Sequence, residues 1–450
     1  MKYPNVLFLM LPTPSHYCAA IPIAKNIQSS GSSVTFAGSP SQEGLINSNN
    51  FNFYEFKYMP TFELRTLKGF AGRLLISLLK GNDKVDRFKE FKQHVFYANR
   101  MLSHLKPQVV FIDEHLSHYF PYIQSIVPNC YLINTKLPSG KSKRVPPFNS
   151  SYIPTNNIFG EIICEVIWIS HLFTKRLTRL TTSVAFLGCP NEYFQRRYLH
   201  RSKSKIQFTD KTSMYDYDNI IDVPSIHLMS DMFEFSWRKP KANEINMHSW
   251  NHSDENLNDS LSEIILKNHS EKSIVYCGLG TMASSNLTQY SRFISRLIDA
   301  LSQSKHHLLI ISTGSVKLTS QCSTAASELP NHVYIFDQVP QRALLAHCSI
   351  MITHGGLNSI KECIDCCVPM LGIINHAHKH KDTLGNIARI VFHKIGLRCM
   401  VTDKPSVLLQ RVDKLLSDLR FKKNILYLRD KIDNESKKNV FTLNGIGNTI

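Results

Sequence analysis

The chain has 450 residues, about three times the length of a typical domain, with 43% hydrophobic, 10% aromatic and 19% charged residues. This globular composition excludes a disordered chain, a fibrous repeat and a protein with many membrane spans. The 52 Lys and Arg outnumber the 35 Asp and Glu, and the formal net charge of +17 indicates an anionic partner such as nucleic acid, a membrane surface or a phosphorylated ligand.

The first half of the chain alternates apolar, strand-like runs with amphipathic stretches. The run at 6–11 is continuously apolar, as expected for a strand buried on both faces, and it has neither the long apolar core nor the cleavage site of a signal peptide. A loop that ends at His16 leads into a predicted helix at 19–29. The strands predicted in this half are 6–11, 34–37 and 109–112. Such alternation with short loops predicts a parallel sheet flanked by helices.

A polar segment separates the two halves. Residues 241–259 are rich in Asn, His, Ser, Asp and Glu with little apolar periodicity, which predicts a linker. The alternation then restarts, with a helix predicted at 287–301. The strands predicted in this half are 274–277, 308–312, 350–353 and 368–374. We therefore expect an α/β chain with domains at 1–240 and 260–425, followed by a C-terminal helix or tail at 426–450 that packs back on the first domain.

Positive charge is concentrated in two segments of the first half. Residues 57–106 hold 11 Lys and Arg against 4 Asp and Glu, and residues 174–211 hold 9 against 2. The stretch 64–79 mixes basic side chains with Leu and Phe, which is typical of a solvated surface helix or of a basic amphipathic helix on an anionic membrane. Residues 158–173 are also apolar, but two glutamates and a histidine interrupt them, so we do not predict a transmembrane helix there.

The eleven cysteines show no framework-like spacing. Their number is odd, so reduced thiols and a cytoplasmic location are expected. Three of them, at 363–367, lie at helical spacing and are interpreted as buried small side chains. Three histidines alternate at 376–380; we favour a flexible basic loop there over a metal site.

The most informative segment is a histidine followed by two glycines. A strand ends just before His354, Gly355 and Gly356 turn the chain, and a helix begins near Asn358. Glycines let the backbone approach a ligand closely, and the free N–H groups of the helix start favour a phosphate. Glu362, one turn along, is suited to accept hydrogen bonds from ribose hydroxyls. These residues predict a nucleotide-phosphate site, the alternative being a tight βα turn that needs glycine only for packing.

This motif and its surroundings resemble the two-domain UDP-dependent glycosyltransferases, especially bacterial enzymes that glycosylate macrolides, carotenoids and similar lipophilic acceptors. The residues that carry the resemblance are Val339-Pro340-Gln341, His354-Gly355-Gly356-Leu357-Asn358-Ser359, Glu362, Val368-Pro369-Met370, and Asp382 followed by Gly385-Asn386-Ile387-Ala388-Arg389, with weaker matches at Ser15-His16, Asp113 and Gly280-Thr281. The resemblance implies the GT-B architecture, in which two Rossmann-like domains face each other across a cleft. It also implies inverting, metal-independent transfer of a hexose, glucose being the first choice, from a UDP-sugar to a hydroxyl.

The resemblance places the donor sugar on the second domain. The residues that it implies for donor binding are Gly280, Thr281, Gln338, Val339, Gln341, His354, Gly355, Gly356, Asn358, Ser359, Glu362, Asp382 and Thr383. Residues 354–359 would hold the diphosphate, which Gly280 and Thr281 would approach from the other side. Glu362 would bind the ribose, and Gln341 would lie near the nucleoside.

Two positions depart from the family pattern. The family usually has a tryptophan that stacks on uracil where this chain has Gln338, and this departure bears on the choice of nucleobase. Asp382 would bind hydroxyls of the donor sugar, but the glutamine that usually follows it is replaced by Thr383, which bears on the choice of sugar. No metal ion or other cofactor is expected.

Transfer with inversion needs a base that takes the proton from the acceptor hydroxyl. Neutral histidine suits this task, and His16 follows the first strand at the edge where ligands bind in open α/β folds. Asp113 ends a later strand at the same edge and would accept the other ring N–H of His16, which fixes the tautomer. Glu114, His115 and His118 lie nearby and could take either role, so we place His16 first and Asp113 second.

The expected partners are a UDP-sugar and a lipophilic, hydroxyl-bearing acceptor held by the apolar segments 60–80 and 115–175. We also expect peripheral contact with an anionic membrane at its inner face, a monomer or weak dimer, and no nucleic acid. Three alternatives stay open: an inactive nucleotide-sugar-binding protein, a UDP-sugar epimerase of the same fold, and a nucleic-acid-binding protein. The last rests only on the net charge, since no recognition motif supports it.

Overall fold

Two separate parallel β-sheets organise the chain. The computed structural model describes residues 4–58, 67–79, 83–188, 223–250, 256–268, 272–280, 286–302, 306–325, 329–376 and 382–438. Within them, every strand pairing in either sheet is parallel. The two-domain α/β class predicted from the sequence is therefore confirmed.

The first sheet runs in the order β3-β2-β1-β4-β5-β6-β7. Its strands are β1 Asn5–Leu9, β2 Ser33–Gly38, β3 Asn52–Glu55, β4 Val109–Asp113, β5 Cys130–Asn134, β6 Ser225–His227 and β7 Glu244–Asn246. Successive residues of β1 enter opposite apolar cores, Leu7 and Leu9 on one side of the sheet and Val6 and Phe8 on the other. A strand buried on both faces needs this continuous apolar run.

The helices of the first domain cover both faces of this sheet. They are α1 Pro14–Ser29, α2 Glu43–Asn47, α3 Leu67–Leu79, α4 Asp83–Leu105, α5 Phe120–Gln124 and α6 Ile158–Ala185, with short 3₁₀ segments at Pro40–Gln42, Glu114–Tyr119 and Asp231–Phe233. The first helix begins at Pro14, earlier than predicted, so His16 lies in its first turn and not in a loop. Proline favours this start because its φ angle suits a helix and its missing N–H is not needed in the first turn.

The second sheet runs in the order β10-β9-β8-β11-β12-β13. Its strands are β8 Ser273–Gly278, β9 His307–Ser312, β10 Val333–Phe336, β11 Ile350–Thr353, β12 Met370–Ile374 and β13 Gly396–Met400. The helices around it are α7 Asp259–Asn268, α8 Leu287–Ser302, α9 Val316–Ala325, α10 Gln341–Leu345, α11 Leu357–Asp365, α12 Asp382–Phe392, α13 Pro405–Ser417 and α14 Arg420–Lys438. In both sheets the strand order reverses beside the first strand, as in Rossmann-like folds, and ligands bind at that point.

The first domain extends into the predicted linker 241–259. Strand β7 lies inside that segment and pairs with β6 as the edge of the first sheet. The polar segment thus contains a short edge strand. Ile245 of this strand packs against the core, and Glu244 forms an ion pair with Arg238. Periodicity cannot detect a strand of three residues in which a single apolar side chain is partly buried.

A buried ion pair connects the two domains. Arg389 on α12 donates from Nε to Oε1 of Glu234, which follows the 3₁₀ segment at 231–233, at 2.7 Å. Both side chains are almost inaccessible, at 0% and 2% exposed. The guanidinium also lies 4.4 Å from the centroid of the Phe235 ring. A charge buried to this degree persists only with a partner, so each residue requires the other.

The apolar core of the second domain continues into residues of the first. Met229 and Phe233 belong to the cluster that lies between β8 and α14. Helix α14 also receives a hydrogen bond from the Trp250 indole N–H to Asp433 Oδ1, at 2.6 Å. Ser230 donates to Glu435 on the same helix. The C-terminal helix thus packs on the segment that leaves the first sheet.

Replacing Arg389 tests the ion pair. The change Arg389→Ala leaves Glu234 buried and unpaired, so we expect the free energy of unfolding to fall by about 3–5 kcal/mol. Urea denaturation measures this difference. The matched control is Arg420→Ala, which removes an exposed partner of Asp418 and should leave the urea midpoint unchanged. The double variant Arg389→Met/Glu234→Leu should recover most of the lost stability. Equal shifts of the urea midpoint in Arg389→Ala and Arg420→Ala would contradict the interpretation.

Candidate active site

The ends of β1 and β4 bring His16 and Asp113 together. The two strands are neighbours in the sheet, and Leu9 pairs with Ile112. His16 Nδ1 lies 2.5 Å from Asp113 Oδ2, and both residues are buried. Thr135, which follows β5, places its Oγ1 at 3.0 Å from the same ring nitrogen. The contact predicted from strand ends alone is present.

Asp113 has a second histidine partner. Its Oδ1 accepts the backbone N–H of His115 at 3.0 Å and lies 3.1 Å from His115 Nδ1. The two imidazole rings meet edge to face, with centroids 4.9 Å apart. Burial would raise the pKa of Asp113, but the electrostatic interaction with His16 and the hydrogen bonds from both histidines outweigh it and hold that pKa well below its ordinary value. The carboxylate is therefore ionised and can orient both rings.

The other two nearby candidates are His118 and Glu114. Burial lowers the pKa of His118 to about 4, and its ring packs against Tyr119 with centroids 4.3 Å apart. Glu114 is buried. Burial also lowers the pKa of His115 against the opposing effect of Asp113, which favours a neutral ring there.

The glycine turn holds the ring of His354 in a narrow slot. A Cβ atom on Gly280 would lie 2.4 Å from His354 Cε1, and one on Gly356 would lie 2.6 Å from His354 Nε2. Gly280 also has a φ angle of +70°, which other residues rarely adopt. Both predicted glycines are thus required by the position of the ring. Thr281, which was predicted beside Gly280, lies outside the described residues.

The turn itself is fixed from two sides. The N–H of Gly355 donates to Thr353 Oγ1 at 3.1 Å, and Asn386 on α12 donates to the Gly355 carbonyl at 2.9 Å. Gly355 has a φ angle of +88°, and a Cβ atom there would lie 2.8 Å from Ile387. Helix α11 then starts with Gly356 as its N-cap, so its first free N–H groups point into the turn.

A polar network connects three predicted donor residues. Gln341 donates from Nε2 to Glu362 Oε2 at 2.6 Å and to Ser359 Oγ at 3.1 Å. The Tyr276 hydroxyl donates to Gln341 Oε1 at 3.1 Å. Sequence reasoning did not select Tyr276, although a tyrosine in the otherwise apolar strand β8, just before the glycine edge, is a usable signal. Gln341 therefore holds the Glu362 carboxylate in place.

The remaining predicted donor residues lie around this network. Gln338 is exposed, and Val339 packs against the core of the second domain. Asp382 is the first residue of α12, and Thr383 is buried behind it. Lys136, which sequence reasoning missed, places its Nζ 3.7 Å from Asp382 Oδ2 although it belongs to the first domain.

One hydrogen bond joins the two predicted half-sites. Asn358, at the start of α11, donates from Nδ2 to the carbonyl of Ser15 at 2.9 Å. Ser15 immediately precedes His16. Together with the approach of Lys136 to Asp382, this contact places the His16–Asp113 pair and the glycine turn in the same cleft.

Three groups of side chains have the residue types of metal or thiol sites. Possible ligand atoms of His16, Asp113 and His115 lie within 4.8 Å of one another, and both rings contact the carboxylate directly, as in hydrogen bonds. His376 is exposed, and the two histidines after it lie outside the described residues. Cys363 and Cys367 are buried, and no disulfide joins the cysteines of the described ranges.

A family model and two curated relatives match part of the chain. The family model described as "UDP-glucoronosyl and UDP-glucosyl transferase" matches residues 172–436. Zeaxanthin glucosyltransferase from Pantoea ananas is 29% identical over 157 residues, which are 35% of this chain and 34% of that protein. UDP-glycosyltransferase UGT4 from Dactylopius coccus is 28% identical over 198 residues, 38% of each chain. The matches thus span well under half of these relatives.

Solved structures resemble the whole chain. The glycotransferase of kitacinnamycin superposes with a TM-score of 0.66 at 14% identity, covering 99% of this chain and 98% of that one. The calicheamicin glycosyltransferase CalG4 gives a TM-score of 0.64 at 12% identity, covering 97% and 95%. These likenesses confirm the GT-B arrangement of two Rossmann-like domains.

The depressed pKa of Asp113 makes its stabilisation depend on pH. Its carboxylate stabilises the fold above the ordinary pKa of about 4 and loses this effect as the pH falls towards the lower folded-state pKa. We expect Asp113→Asn to reduce the free energy of unfolding most at pH 7 and progressively less below pH 4, as measured by urea denaturation. Asp430→Asn, at an exposed position of α14, should show no such trend. A constant difference across the pH range would contradict the assigned ion pairs.

Proposed function

Since the chain belongs to the "UDP-glucoronosyl and UDP-glucosyl transferase" family, we propose that it transfers a hexose, glucose being the first choice, from a UDP-sugar to a hydroxyl of a lipophilic small molecule. The observation that carries the proposal is the hydrogen bond from Asn358 to Ser15. It brings the glycine turn, suited to a diphosphate, beside the residue that precedes His16. A donor held by that turn would present its anomeric carbon near the histidine.

His16 acts as the base in this proposal. Its Nδ1 faces Asp113, so the N–H on that nitrogen donates to the carboxylate and Nε2 carries the free lone pair. Nε2 takes the proton of the acceptor hydroxyl as the oxygen attacks the anomeric carbon, and the ionised Asp113 stabilises the imidazolium that forms. His115 and Thr135 are positioning residues in this scheme. Their contacts hold the carboxylate and the His16 ring in one orientation.

The leaving diphosphate is stabilised by groups already in place. The free N–H groups at the start of α11 and the His354 ring provide donors to the developing charge. Glu362, held by Gln341, accepts from the ribose hydroxyls, and Asp382 accepts from hydroxyls of the sugar. We assign no metal ion to the transfer step, because these donors supply the stabilisation that a metal would give.

The acceptor belongs to the first domain in this proposal. The Pantoea ananas relative is named for zeaxanthin, a lipophilic carotenoid, which supports a lipophilic acceptor for this chain too. No helix within the described ranges is both long and apolar enough to cross a membrane. The cytoplasmic location, the membrane contact and the monomer or weak dimer stay predictions. The close His16–Asp113 contact favours an enzyme over the inactive nucleotide-sugar-binding alternative.

Removing the base tests the transfer step. We expect His16→Ala to lower kcat/KM for transfer by about 10²–10⁴-fold, because the acceptor proton then has no positioned base. Donor affinity should stay unchanged, since the donor lies on the second domain. His104→Ala, an exposed histidine on α4, is the matched control and should transfer normally. Full activity of His16→Ala would place the base elsewhere, and a wild type that binds donor without transferring or epimerising it would be an inactive binder.

Equilibrium binding of UDP-, TDP- and GDP-sugars tests the donor site. We expect saturable binding of a UDP-sugar, weakened about tenfold or more by Gly356→Ala, because a Cβ atom there displaces the His354 ring. His354→Ala should weaken binding as well. Gly44→Ala is the matched control, since a Cβ atom there meets open space. Preference for another nucleotide would trace to Gln338, and the absence of all binding would refute the proposed function.

A further inference from the structure

Helix α6 exposes an apolar face along its length. Its outward side chains recur every three or four residues, which places them on one side of the helix. They are between 51% and 71% exposed: Phe159, Ile162, Val166, Ile169, Phe173 and Leu177. At 1.5 Å per residue, the 28-residue helix is about 42 Å long. Large apolar side chains so arranged usually mark a surface that contacts a partner.

The opposite side of α6 packs on the protein through the buried Gly160, Cys164 and Trp168, and two partly exposed glutamates flank it. Glu161 accepts from Arg144 Nε at 2.9 Å, and Glu165 accepts from Lys141 Nζ at 2.5 Å. The Trp168 indole N–H donates to a backbone carbonyl of the loop that precedes the helix, at 2.7 Å. The contacts with the loop therefore fix which side of the helix faces the protein, and the apolar stripe on its other side turns outwards.

Helix α3 adds a second exposed apolar face beside the far end of α6. Its Ser77 donates to the Ala185 carbonyl at 2.8 Å, so the two helices are packed together. Leu75, Leu78 and Leu79 are 56%, 60% and 76% exposed. We use the name apolar platform for these three leucines together with the six outward side chains of α6.

The charge around the apolar platform is positive. Within the described residues, α6 carries Lys175, Arg176 and Arg179, while its two glutamates are already paired with cations of the preceding loop. Arg176 is exposed on α6 between the outward Phe173 and Leu177. A second copy of this chain would bring the same positive charge to the contact, whereas an anionic lipid surface complements it.

We propose that the apolar platform docks on an anionic lipid bilayer. Helix α6 lies along the surface, with its apolar side chains at the boundary between headgroups and acyl chains and Arg176 among the lipid phosphates. Docking itself stands apart from the transfer reaction. Its consequence, that a lipophilic acceptor is reached at the bilayer, rests on the proposed function.

Flotation of the full chain with vesicles tests the docking, without sugar donor or acceptor. We expect the wild type to float with vesicles that contain phosphatidylglycerol and much less with phosphatidylcholine alone. The double change Ile162→Asp/Ile169→Asp should reduce the bound fraction about tenfold, since it places charges on the lipid-facing stripe. Leu266→Asp/Val316→Asp is the matched control, because both residues are exposed on the second domain. It should float like the wild type.

A second pair of variants tests the charge. Arg176→Glu should weaken flotation with phosphatidylglycerol, and Lys423→Glu, at an exposed position of α14, should not. Unchanged thermal unfolding midpoints show that the variants fold. The proposal is overturned if the wild type stays at the bottom at low salt, if it floats equally with neutral vesicles, or if the aspartate variants float like the wild type. The proposal is also overturned if analytical ultracentrifugation shows an oligomer of the wild type that the aspartate variants dissociate. The apolar platform would then be a contact between copies of this chain.

Discussion

The buried pair of Arg389 and Glu234 joins the two domains. Each sheet by itself gathers ligand-binding residues at one edge, but a reaction between two substrates needs the two edges to face each other. The pair connects α12, which carries Asp382 and Asn386, to the segment that follows β6. Two desolvated charges add little net stability compared with apolar residues of the same volume, yet they tolerate few geometries. We therefore interpret the pair as a constraint on orientation.

The His16–Asp113 pair shows how far a sequence can predict a contact between distant residues. His16 and Asp113 are distant in the chain, but both follow central strands of a parallel sheet, and neighbouring strands end at the same edge. Their contact was therefore predictable. The start of α1 at Pro14 also had a sequence signal, the proline itself, whereas strand β7 was not predictable, because a three-residue edge strand leaves almost no periodic signal.

Contacts between the domains could not be derived from local patterns at all. Lys136 meets Asp382, and Asn358 meets Ser15, only because the two sheets are held at a particular angle. Motif resemblance identified Asp382 and Asn358 through the second domain alone. The resemblance did not indicate which residues of the first domain lie opposite Asp382 and Asn358. Those opposing residues help to determine what the cleft can bind.

Which side of α6 faces the protein could not be predicted from local sequence patterns either. Periodicity predicts that the helix has one apolar side, but not which side faces the protein. The burial of Cys164 and Trp168 decides this, and the loop cations Lys141 and Arg144 add ion pairs to Glu165 and Glu161 beside them. Turning the helix over to bury its apolar stripe would break both ion pairs and leave the loop cations unpaired. The fold therefore leaves the stripe in contact with solvent, and a lipid surface would remove that apolar area from water without any change in the ion pairs.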